Sequence, residues 1–412
     1  MKIENIIKEG IKSIDLTNEK HAELIIDTAN NLLEIYPTFS ELQKLEEEWL
    51  KRDDEKMTFL RSALKLATSK SLISCVKKKL HISIVFAVYK EHLRIRKSSE
   101  HPYGEDFLRK KAEQAKWLFG DQKLITWSIT VVDDGCPERS GKTALEIVET
   151  DSLGDKVKVL FLEDAIKQGL PPVKCLNSSA ESQKGSSILY GMWDAVQERG
   201  SENHIVLFTD ADLSTHLGQI MLLVDPIINH DCLAAIGSRR EKKSVVVKKS
   251  SRNNRGKLFI FLWKRMISNL GNIVDTQCGF KAFRADIVSE IISDNIEHKF
   301  AFDVELLIKT ALLKPDSIAK VPIAWIDSDI ASTTADLQPY LPMLKSIANM
   351  HVKYFSNDCR HNDFVDFVNS LDKNSFNRLL ENIPSGITDR EPDSFTDYAG
   401  VSVSELKNAV KI

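Results

Sequence analysis

IVLFTDADLST, Ile205 to Thr215, is a run of apolar residues leading straight into two carboxylates. Ile205 to Phe208 read as a short buried strand, and Asp210 and Asp212 follow it, separated only by Ala211. Residues at i and i+2 point to the same side of an extended chain, so both carboxylates would face one way at the strand's carboxyl end. That geometry offers oxygen ligands to a hard divalent cation, at the edge where open α/β sheets bind their ligands. A strand followed by an Asp-rich turn, with Asp212 or Ser214 capping the next helix, has the same local sequence. Only the other stretches can separate the two.

Upstream, HISIVFAVYKE reads as a β-branched strand closed by Tyr89, Lys90 and Glu91, and EDFLRKKAEQAKWLF follows as a helix. A second strand, ITWSITVVDDG, ends in Asp133, Asp134 and Gly135. The helix TALEIVET, the strand KVKVLFLE, an irregular loop with Gly169, Pro171 and Pro172, and the helix within SQKGSSILYGMWDAVQ come next. Downstream, CLAAIGSRR is a strand ending in Arg239 and Arg240. The basic run EKKSVVVKKSSRNNRGK is expected to be a mobile cover over bound phosphate. LFIFLWKRMISNL reads as an unusually aromatic helix with a face that could meet lipid, and AKVPIAWI as a late strand. The alternation predicts an α/β fold: a Rossmann-like, mostly parallel sheet with helices on both faces, over residues 79–355. Residues 1–78 carry helical spacing and capping-box signals (Thr38 with Glu41) and form a helical accessory domain. Residues 356–412 form a helical extension and tail.

The composition belongs to an ordinary globular protein: 412 residues, 42% hydrophobic and 28% charged, with a net charge of −3. No general attraction to nucleic acid follows from that balance, so any anion binding must be local. The six cysteines are widely spaced, without a CxxC pair, which points away from zinc and disulfide frameworks and toward a reducing cytoplasm. No apolar run approaches the ~20 residues of a membrane span, so membrane association is expected to be peripheral at most.

Four stretches stand in a fixed order: VVDDG, KGSSILYGM, FTDADLS, and DTQCGFKAFR followed by FAFDVELLI. In these the chain resembles the inverting GT-A glycosyltransferases of family two, nearest the dolichyl-phosphate glucosyltransferase branch, with the dolichyl-phosphate mannosyltransferases close by. The resemblance runs from about Ile82 to Tyr354. It implies a nucleotide-sugar donor, UDP-glucose or a relative, and Mg²⁺ or Mn²⁺ held by Asp210 and Asp212 with the diphosphate. It also implies that Asp133 and Asp134 hold base and ribose, that Lys184 and Gly185 meet the nucleotide, and that Gln277 and Gly279 line the donor sugar. Arg239 and Arg255 would stabilise charge on the leaving diphosphate. Asp303 would act as general base toward a hydroxyl acceptor, while Glu305 suits a helix-start carboxylate equally well.

The sequence departs from the family in two places. Family members on the membrane branch have an amino-terminal anchor and a GSK-like stretch after the last strand, whereas this chain has a polar helical extension and WIDSDIASTT. Both departures favour a small-molecule or glycan hydroxyl as acceptor over a polyprenyl phosphate reached peripherally at a membrane. A sugar-phosphate nucleotidyltransferase would need a glycine-rich loop after its first strand, and FAVYKEHLRIRK has no glycine. A non-catalytic nucleotide-binding module on the same fold is the remaining alternative, and the helical extensions are candidate surfaces for self-association.

Overall fold

A computed structural model describes residues 2–120, 122–200, 203–247, 253–327, 340–395 and 400–411. Arg252 and Ser328 to Thr334, the end of the WIDSDIASTT stretch, lie outside the described residues. The chain divides into two compact units. The first comprises Met1–Lys249, Cys278–Asp294 and Asp316–Thr333; the second comprises Ser250–Gln277, Asn295–Pro315 and Thr334–Ile412.

The first unit opens with α1 (Ile3–Glu9), α2 (Glu19–Ile35), α3 (Phe39–Trp49) and α4 (Met57–Ser71). Thr38 starts α3 with the expected reciprocal capping box to Glu41. Leu32, Leu42, Phe59 and Leu60 close a core between these helices, and Glu46 and Lys65 form a buried ion pair at 2.6 Å.

The sheet follows: β1 (Leu80–Val88), β2 (Ile125–Asp133), β3 (Val157–Phe161), β4 (His204–Thr209), β5 (Ala234–Ser238), β7 (Phe280–Arg284) and β8 (Ile318–Pro322) in the order β3-β2-β1-β4-β7-β5-β8, while β6 (Val245–Val247) and β9 (Ala324–Ile326) form a separate parallel ribbon. Helices α5 (Phe107–Phe119), α6 (Ser140–Thr150), α7 (Leu162–Lys167), α8 (Gly185–Arg199) and α9 (Ile220–Asn229) connect the strands. All pairings in the large sheet are parallel except those of β7, which runs antiparallel between β4 and β5. The register sets Val88 opposite Asp133 and Val85 opposite Phe208, so β1, β2 and β4 end along one edge. The carboxylates at those strand ends therefore share one side of the sheet.

Half of the expected mobile cover is not loose. Glu241 to Ser244 make a turn and Val245–Val247 pair with β9, because three consecutive valines suit an extended ladder better than a solvated loop. Residues 248–252 lie outside the described part, and Asn253–Met266 is helix.

The second unit is helical, including Asn253–Met266, Phe302–Leu313, Tyr340–Tyr354 and Asn362–Ser370. Leu258, Phe261, Leu262 and Trp263 are all buried, and Phe261 packs edge-on against Phe395 at 5.5 Å. The LFIFLWKRM face is thus core, not a lipid-facing surface. A helix apolar nearly all round is buried on all sides, and here later helices of the same unit cover it.

Candidate active site

Asp210 begins immediately beyond β4, its N–H donating to the Gly279 carbonyl at 3.0 Å. Gly279 has no side chain for a physical reason: a Cβ there would lie 2.3 Å from Asp210 Oδ1. The start of β7 thus presses bare backbone onto the carboxylate.

The Lys184 ammonium sits on Asp210 Oδ1. Burial works to raise the Asp210 carboxyl, but Lys184, with Arg239 and Lys111 adding their charge, holds it below the ordinary carboxylate range. Lys184 reaches this position from a left-handed backbone, φ 73°, which a residue with a Cβ adopts at a cost. Its N–H donates to Asp134 Oδ2 at 2.8 Å, so the two aspartates hold the strained residue at both ends.

Asp212 is oriented by its own turn. Ser214 donates to Asp212 Oδ1 from its N–H at 3.0 Å and from its hydroxyl at 2.6 Å. Ser214 thus holds the Asp212 carboxylate in place.

Asp133 and Asp134 are both engaged by the protein's own donors. Asp133 accepts the N–H groups of Cys136 (2.8 Å) and Gly141 (2.6 Å), which fixes the start of α6. Asp134 Oδ1 accepts the hydroxyls of Ser182 and Ser187, both at 2.6 Å, tying the end of β2 to the start of α8. Burial raises both carboxyls, and these hydrogen bonds oppose it.

Arg239 follows β5 and lies over the Trp325 ring at 5.3 Å. In the second unit, Arg255 is exposed on the first turn of the helix Asn253–Met266; it lies on a helix where a loop was expected. Gln277 donates to Asp303 Oδ1 at 3.0 Å, and Asp303 is buried in the first turn of its helix. Glu305 accepts the N–H groups of Ile296 and Glu297 and the Tyr354 hydroxyl, the partners of a structural carboxylate.

Several charged groups around the aspartates were not anticipated. Lys111 is fully buried, and its ammonium has no hydrogen-bond partner among the described residues. Burial pushes it down to about 8, opposed by Asp212 and Asp210. Arg94 binds Glu91 and Glu105 in a buried network, and Glu91 is raised to about 7 by burial, with Arg94 opposing and Asp212 adding to the rise. Helical spacing held the signal for Lys111: it lies with Leu108, Ala112, Ala115 and Leu118 on the buried stripe of α5.

The aspartates suit a divalent cation in part. Hard carboxylate oxygens are the right donors, and Asp210 already carries a cationic side chain at close range. Among the described residues no cluster of three or more acidic, His or Cys side chains could hold a metal. A pair of carboxylates is the donor set of a cation completed by water and substrate phosphate.

No family model matches the chain. Similarity to individual proteins is extensive. A dolichyl-phosphate beta-glucosyltransferase of Homo sapiens is 27% identical over 316 residues, 74% of this chain and 85% of that protein. One from Trichomonas vaginalis is 28% identical over 255 residues, 60% of this chain and 67% of that protein. The chain is a glycosyltransferase of the GT-A fold, similar in sequence to the dolichyl-phosphate glucosyltransferases. An undecaprenyl-phosphate mannosyltransferase of Micrococcus luteus matches this glycosyltransferase at 27% over half of its length and 74% of the relative. Among solved structures, glucosyl-3-phosphoglycerate synthase from Mycobacterium tuberculosis superposes with a TM-score of 0.44 at 14% identity, covering 72% of this chain and 84% of that one.

Proposed function

We propose that this glycosyltransferase moves a hexose, glucose or a close relative, from a UDP-sugar to a polyprenyl phosphate, with inversion and with Mg²⁺ or Mn²⁺ at Asp210 and Asp212. The observation that supports the donor side is the Asp210 carboxylate itself, pressed by the Gly279 backbone and carrying the Lys184 ammonium where a cation belongs. When bound, the metal supplies Lewis-acid stabilisation of the leaving diphosphate. Arg239, stacked on Trp325, adds a fixed positive charge, and Arg255 is assigned a similar role. Lys184 exchanges Asp210 for phosphate when the donor enters. Asp133, Asp134 and Gly185 shape the nucleotide loops, and Gln277 and Gly279 face the sugar.

The names of the relatives support the acceptor, since they specify dolichyl or undecaprenyl phosphate. An acceptor phosphate is already ionised and needs no base. Among the described residues no helix is long and apolar enough to cross a membrane, so lipid would be met peripherally, from the cytoplasm. A hydroxyl acceptor is the second reading, favoured by the Gln277 hydrogen bond that orients Asp303 as a base would need.

Transfer from UDP-glucose to a short-chain polyprenyl phosphate in detergent, with Mn²⁺ and with chelator, tests the proposal. Metal-dependent formation of the glycosyl lipid phosphate is expected. Transfer confined to hydroxyl compounds would replace the lipid reading with the second one.

A further inference from the structure

The amino-terminal helices reach the donor site through the small ribbon. Arg61, on α4, donates from one guanidinium nitrogen to the carbonyls of Lys243 (3.2 Å) and Ser244 (3.3 Å), the two residues that lead into β6. Lys243 is held from the same helices by Glu47 at 2.5 Å, with Glu46 at 3.9 Å. Among the described residues β6 pairs only with β9, setting Val246 opposite Trp325. A two-stranded ribbon of three-residue strands cannot support itself in water and must be held from outside.

On its far side the ribbon is joined to the aspartate loop. The Gln219 side chain clasps Ala324, donating to its carbonyl at 2.9 Å and accepting its N–H at 2.7 Å. The Ile326 N–H donates to the carbonyl of Ser214, the residue that orients Asp212. Trp325, between these two anchors, carries Arg239.

We propose that Arg61 is a positioning residue for the donor site: by fixing the Lys243–Ser244 turn it holds the β6–β9 ribbon so that Trp325 supports Arg239 and Ile326 braces the Asp212 turn. This gives the helical extension a role in donor binding, and it rests on the donor-site reading above. Without Arg61, two carbonyls lose a charged donor, the ribbon opens more often, and Arg239 must be ordered anew each time a diphosphate binds.

Arg61→Met, Arg61→Lys, Trp325→Leu and the Arg61→Met/Trp325→Leu double variant are compared by titrating UDP with Mn²⁺ in a calorimeter and by amide exchange at Val245–Val247. Arg61→Met is expected to lower UDP affinity about fivefold to tenfold, the scale of one side chain losing its pre-ordering. Exchange in the ribbon should accelerate, and Arg61→Lys should recover part of both. Trp325→Leu should lower affinity by a similar factor, and the double variant should lose little more than either single one, because both act on Arg239. Folded Arg61→Met with unchanged ribbon exchange and UDP affinity would overturn the proposal, as would losses that simply multiply in the double variant. If Arg61→Met does not fold, unchanged affinity in Trp325→Leu has the same force. Wild-type protein that takes up no UDP would overturn the donor reading itself, and that failure shows before any substitution is made.

Discussion

Asp210 and Glu305 are both partnered carboxylates, the first half-buried and the second fully buried, and they are built for opposite purposes. Glu305 receives two backbone N–H groups and a phenol from its own unit and is a finished structural anchor. Asp210 is set against bare glycine backbone and balanced by the mobile end of a lysine side chain. Backbone donors cannot leave without unfolding, whereas an ammonium on a flexible stem can be exchanged for another cation. The partner of a carboxylate, a flexible cation in one case and fixed backbone donors in the other, therefore distinguishes a ligand site from a brace.

Substitution should split the two. Asp210→Asn is expected to reduce glycosyl transfer by about 10²–10³-fold, the scale of removing one preorganised electrostatic contact, with little change in melting temperature. Steady-state rates at saturating acceptor, alongside thermal melts, give the comparison. If transfer survived intact, Asp210 would join Glu305 as structure.

Asp303 lies between these cases. With a polyprenyl phosphate as acceptor, Asp303→Asn should keep turnover within about threefold of the wild type, because no base is required. With a hydroxyl acceptor the same change should cost about 10²–10⁴-fold. Running both acceptors in one assay separates the two readings of the reaction.

Glu305→Gln should act on stability alone. Replacing an acceptor of several hydrogen bonds by an amide leaves a buried donor mismatched and costs about 1–3 kcal/mol, with UDP affinity unchanged. Denaturant titration measures the first and calorimetry the second; a fall in affinity without loss of stability would contradict the structural role.

A smaller effect concerns pH. His216, just beyond the aspartate loop, accepts the Gly218 N–H on Nδ1, and burial, with the Lys111 charge, depresses it from 6.5 to about 3. The unfolded chain takes up this proton more readily than the folded one, so the stability from His216 is present above pH 6.5 and is lost as pH falls from 6.5 toward 3. The slope for one such proton is at most about 1.4 kcal/mol per pH unit. His216→Gln should flatten the acid limb measured by urea titration at pH 7 and pH 5; an unaltered difference would assign that limb to other groups.

The sequence made the main sheet, the helices on both faces and the carboxylates at Asp133 and Asp210 legible, because period-two apolar strands ending in acidic residues are a local pattern. Other features depended on distant partners and were not. FKAFR is too short to announce an antiparallel strand, and only its neighbours β4 and β5 show it as one. VVV sits inside a basic run and reads as loop until β9 is beside it. The LFIFLW helix looked ready for lipid because its covering helices come up to a hundred or more residues later, around Phe364 and Phe395. At the site, spacing gave Asp210 and Asp212, but nothing local could place Lys184 on Asp210, Trp325 beneath Arg239 or Arg61 behind the ribbon.

Calorimetric titration of UDP into the wild type and Asp212→Asn, with Mn²⁺ and with chelator, addresses the aspartate pair most directly. Tight UDP binding only in the presence of Mn²⁺, lost in Asp212→Asn while its melting curve stays in place, is the predicted result. UDP binding of equal strength with chelator, or unchanged in Asp212→Asn, would contradict a divalent cation held by Asp210 and Asp212.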